Sequence, residues 1–91
     1  STYLDLKYQL KIMQFIRDLI DERQLCAIIV THDLNHALRY SDQLAVLNHG
    51  TIVSSGPPSI LTEELIQQVY EVSARVRQED NKPFIVPLKA I

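Results

Sequence analysis

Leu25-Cys26-Ala27-Ile28-Ile29-Val30 is an unbroken apolar run that stops at Thr31-His32-Asp33. Apolar residues then resume at helical spacing through Leu34, Ala37 and Leu38. A short run without alternation, bounded by polar residues and ending β-branched, suits a strand covered on both faces. Such a strand must lie between layers, so the run, over residues 25–30, predicts a buried strand passing directly into a helix from about Asp33 to Ser41. In open α/β sheets, ligands bind just beyond the carboxyl ends of such strands. His32 stands at that junction, flanked by Thr31 and Asp33, and is the first candidate functional residue.

The chain on either side fits the same fold class. Leu6, Leu10, Met13, Ile16 (or Phe15) and Ile20 recur at three- and four-residue steps, with Lys7, Lys11, Gln14, Arg17 and Asp21 opposite. That spacing predicts a long amphipathic helix with no interior Gly or Pro. Downstream, Gln43–Leu47 and Thr51–Ser54 flank the turn Asn48-His49-Gly50, predicting a hairpin over residues 43–55. Gly56-Pro57-Pro58 breaks the pattern. Thr62 with Glu63 and Glu64 then reads as a helix start, with Leu65, Ile66, Val69 and Tyr70 on the buried side. Residues 73–88 read as a second, exposed hairpin around Glu79-Asp80-Asn81-Lys82. Helix, buried strand, helix is the rhythm of a parallel α/β sheet.

Ninety-one residues allow one small domain or part of a larger one. A net charge of −2 gives no electrostatic reason to expect nucleic acid or an anionic membrane as partner. The single cysteine, Cys26, reads as a small buried apolar side chain in a reducing compartment. No apolar stretch approaches the roughly 20 residues that span a bilayer, and no signal-peptide pattern is present. The first residue is Ser1 rather than Met, which hints that the chain begins inside something longer. A soluble, intracellular fragment is the expectation.

Each candidate has a plainer reading beside its functional one. A lone histidine is more often structural than chemical; position at a strand end brings His32 to about even. His32-Asp33-Leu34-Asn35-His36 superficially matches the His-Glu-x-x-His helix of zinc hydrolases, which needs two histidines on one helical face and a glutamate base. Here Asp33 replaces the glutamate, His32 falls at the helix start, and no third ligand is evident. His36 and His49 read as surface polar residues. Asp5 reads as an N-cap for the first helix. A pure interaction module, with exposed apolar surface and no anion site, is the third class.

Taken together, these stretches resemble the ATP-binding subunits of ABC transporters. Ser1-Thr2-Tyr3-Leu4-Asp5-Leu6, residues 1–6, is similar to the D-loop that follows the Walker B strand. Val30-Thr31-His32-Asp33-Leu34, within residues 25–34, is similar to the strand end and switch histidine loop. Ala37-Leu38-Arg39-Tyr40-Ser41-Asp42 and Val46 through Pro58 follow the family's order. The pattern is closest to the ATPases of bacterial importers for ferric siderophores, haem, cobalamin and related chelates, with molybdate or oxyanion importers as the alternative.

The resemblance implies an α/β fold: residues 1–91 as the C-terminal portion of a RecA-like P-loop NTPase core, with parallel strands, a β-hairpin and flanking helices. It implies that His32 contacts the γ-phosphate and that Asp5 passes information between the two ATP sites of a head-to-tail dimer. ATP and Mg²⁺ are implied for the parent subunit, as are permease partners, a second ATPase subunit and a place on the inner face of the bacterial cell membrane. The Walker A loop, Q-loop, signature and Walker B glutamate have no match in these residues, so the chain alone is expected to be inactive and to hold no cofactor. The strand at 25–30 would lack both neighbours, which predicts a rearranged sheet or a strand-swapped oligomer.

Overall fold

A computed structural model describes residues 2–91, with side chains from Leu4 onward. The chain divides into two compact units, Ser1–Val30 and Thr31–Ile91.

The first unit is built on helix α1, Thr2–Arg23. Its interior has no helix breaker, and its surface carries side-chain pairs one turn apart: Arg17 Nη2 to Asp21 Oδ1 at 2.8 Å and Gln14 Nε2 to Asp18 Oδ1 at 2.9 Å. Gln24 ends the helix in the left-handed region at φ 52°, and the Leu25 N–H donates back to the Ile20 carbonyl at 3.2 Å. This six-residue closure satisfies an otherwise orphaned helix-end carbonyl. Because α1 is already helical at Thr2, Asp5 lies inside its first turn rather than at its N-cap. Ser1 of the expected D-loop, and the side chains of Thr2 and Tyr3, lie outside the described residues.

The expected strand at 25–30 does not form. Its residues belong to neither sheet, and Ile28 and Val30 are 90% and 96% exposed. A strand exists only through ladder hydrogen bonds to a neighbour, and no described strand pairs with this one. Cys26 is consequently exposed rather than buried.

The second unit carries the core. Its order is α2 (Leu34–Tyr40), β1 (Leu44–Asn48), β2 (Thr51–Gly56), a 3₁₀ turn at Pro58–Ile60, α3 (Glu63–Tyr70), β3 (Val72–Glu79) and β4 (Lys82–Ala90). The strands form two separate antiparallel hairpins, β1–β2 and β3–β4. The expected parallel pairing is absent among the described residues, because both sheets are made by chain-adjacent strands joined by tight turns. Asn48 pairs with Thr51 across His49-Gly50, and Glu79 with Lys82 across Asp80-Asn81. All four central residues have positive φ (51°, 77°, 52° and 61°), the turn geometry whose twist matches that of the strands.

Each hairpin is bulged, at Val46/Leu47 and at Ser73/Ala74. The second bulge follows Pro87, which has no N–H to give a ladder.

Helix α3 begins as its sequence suggests. Thr62 Oγ1 accepts from the Leu65 N–H at 3.1 Å, with Glu63 and Glu64 in the first turn. Glu63 Oε2 also accepts from the Val76 N–H at 2.8 Å, tying α3 to β3. Glu71, at φ 57°, closes the helix and turns the chain straight into β3. Leu38, Val46, Leu61, Ile66, Ala74 and Ile85 are buried together, with Leu34, Leu44, Ile60, Leu65, Val69, Val72 and Val76 packed around them. Tyr70 is exposed, outside the buried stripe expected for α3. Gly56 sits at φ 148°, where a Cβ would come within 2.8 Å of Ile60 Cγ2, so the β2 exit needs glycine. Among the described residues no helix is long and apolar enough to cross a membrane.

Candidate functional site around His32

The entry to α2 is built from its own side chains. Asp33 adopts an extended conformation, and its Oδ1 accepts from the His36 N–H at 3.1 Å, making it the N-cap. Thr31 Oγ1 in turn accepts from the Asp33 N–H at 3.1 Å. His32 lies within the turn closed by the Thr31–Asp33 bond and directly before the cap, and its side chain stays exposed. Among the described residues its imidazole has no hydrogen-bond partner. A free imidazole can donate from one nitrogen and accept at the other, which suits contact with an anionic oxygen.

His32 opens onto a shallow depression of about 350 Å³, lined also by Asp33, Leu34, Asn35, Ile85 and Pro87. Asn35 was not singled out from sequence, yet it is the most committed side chain here. Its Nδ2 donates to the Ile85 carbonyl at 3.0 Å, and its Oδ1 accepts from the Ile85 N–H at 2.6 Å. The amide thus mimics a neighbouring strand and joins α2 to β4 across fifty residues of chain. The one sequence signal was an asparagine inside a helix, where its side chain ordinarily competes with the backbone. Lys82 adds a second link, donating to the Arg39 carbonyl at the end of α2.

The other candidates separate from His32. His36 is half-buried rather than a surface residue; its ring lies 5.0 Å from that of Tyr40, and its Nε2 is buried without a hydrogen-bond partner. The cause is its place one turn from Tyr40 on the inner side of α2. His49 is the exposed first residue of the β1–β2 turn. Asp5 belongs to the other unit. Among the described residues no group of three or more His, Cys, Asp or Glu side chains could hold a metal ion. Both glycines lie in or after the first hairpin, so no glycine-rich loop surrounds the depression. The depression thus presents an exposed imidazole, with no metal-holding cluster of three or more such side chains among the described residues.

Comparison with known proteins places these residues in context. No protein-family model matches the chain. It is 40% identical over 85 residues to an uncharacterized ABC transporter ATP-binding protein of Methanocaldococcus jannaschii, covering 93% of this chain and 34% of that protein. It is 43% identical to a hemin import ATP-binding protein of Vibrio cholerae, covering 92% and 33%. A petrobactin import ATP-binding protein of Bacillus anthracis is 35% identical, with 96% and 32% covered. The chain spans about a third of the length of the relatives it matches.

Proposed function

We propose, from the premise that this chain belongs to the ATP-binding proteins of ABC transporters, that it serves as the C-terminal part of an ATP-hydrolysing importer subunit. The supporting observation is the exposed His32 imidazole, carried in the Thr31–Asp33 turn just before the Asp33 cap of α2 and unengaged among the described residues. In this reading His32 contacts the terminal phosphate of ATP and orients what surrounds it, the kind of positioning and charge stabilisation on which phosphoryl transfer depends. Asp5 carries information to a second copy of the subunit. The residues that cradle the other phosphates and hold Mg²⁺ come from elsewhere in the subunit, so these 91 residues alone neither bind nor hydrolyse ATP.

The relatives named for hemin and petrobactin import support an iron chelate as the solute class, delivered through membrane permease subunits, with the ATPase on the cytoplasmic face. In the full-length subunit bound to its permease, His32→Ala is expected to lower ATP turnover roughly 100-fold, the loss typical of one preorganised donor. Unchanged turnover would remove His32 from the mechanism. For the 91-residue chain, titration calorimetry with MgATP is expected to give no binding heat; binding that His32→Ala abolishes would overturn the assignment of the phosphate site to other residues.

A further inference from the structure

We infer that Asn35 is a positioning residue for His32, and that through it the β3–β4 hairpin sets the geometry of the histidine loop. The inference rests on the reading of His32 as a phosphate contact and extends it to a part of the fold with no chemistry of its own.

Four observations converge. Asn35 is the second residue of α2, two residues after the Asp33 cap and three after His32, so moving it moves the cap and the turn that carries His32. Its amide makes two hydrogen bonds to one backbone residue, Ile85, which fixes both distance and orientation. Ile85 is itself a buried member of the core, 4% exposed, so the anchor is rigid. His32, Asn35 and Ile85 then line the same depression. A seven-residue helix has little intrinsic stability, and its entry angle depends on such ties. With the amide gone, α2 keeps its cap and its Leu38 anchor but loses the contact that aims its first turn. Catalytic groups misplaced by about 1 Å can lose up to 100-fold in rate.

The test uses the full-length subunit with its permease and compares His32→Ala, Asn35→Ala and the double variant. Asn35→Ala is expected to lower kcat roughly tenfold with KM for ATP unchanged, because the substrate is still bound but poorly aligned. The double variant should be no slower than His32→Ala alone, since a residue acting through His32 has nothing left to position. Glu63→Ala, which removes a comparable side-chain tie to β3, is the stability control; it should lower the melting temperature without lowering kcat. Asn35→Asp keeps the acceptor for the Ile85 N–H and should fall between wild type and alanine. It is read in place of Asn35→Ala if that variant fails to fold.

Unchanged kcat in Asn35→Ala while His32→Ala is slow would overturn the inference alone. So would losses that multiply in the double variant, or an equal loss of kcat in Glu63→Ala. If His32→Ala is itself unaffected, the phosphate reading fails first and Asn35 has no role to support.

Discussion

Asp33 is the residue that opens α2. Its carboxylate satisfies the His36 N–H while its own backbone N–H is held by Thr31 Oγ1, so one residue caps the helix with its side chain and is tied to the preceding loop through its backbone. Asp33→Ala should therefore cost about 1 kcal/mol of stability, read as a lower midpoint in urea unfolding with an unchanged slope; no shift would show the cap to be dispensable. His32 was legible from sequence because an apolar run ended on it. Asn35 was not, because its partner lies fifty residues away and no local pattern announces a side chain that imitates a strand. His36 failed for a related reason. Its polar identity pointed outward, whereas spacing within a short helix placed it beside Tyr40.

The elements of the second unit were largely written in local chemistry. Thr62 with two following glutamates starts α3, and Asn48-His49-Gly50 turns β1 into β2. The segment at 25–30 was written just as clearly, yet it forms no strand, since a strand is a property of a pair and no described strand pairs with it. Propensity gave the type of element and pairing decided its existence. Within the unit, α3 contributes the most fully enclosed side chain: Ile66 is 0% exposed and Leu38 1%. Ile66→Ala should cost about 2–5 kcal/mol, a large share of what a unit of this size possesses. Circular dichroism should show Thr31–Ile91 largely unfolded at 37 °C in that variant; a melting curve like wild type would mean that α3 is peripheral to folding.

At the scale of the molecule, the division at Val30 coincides with the stretch that is neither helix nor sheet. Exposed backbone outside helix and sheet is readily cut by proteases, so limited digestion should cut first between Leu25 and Val30. Mass spectrometry should then find an early, persistent product beginning near Thr31. A first cut inside β3–β4 would contradict the two-unit division. The parallel sheet expected from the helix–strand–helix rhythm does not form among the described residues, whose strands pair only into two antiparallel hairpins.

The Asn35–Ile85 pair also governs what β4 offers to other molecules. Alternation along a strand sends every second backbone group to the same edge. Because Ile85 bonds to Asn35, residues 83, 85 and 87 all face away from β3. Two of the three are proline and carry no N–H, and the third has spent its own on the amide of α2. Over Pro83–Pro87 the open side of the hairpin thus has no donor left with which to seed fibril growth, a passivated margin in a chain that leaves much of its apolar surface uncovered.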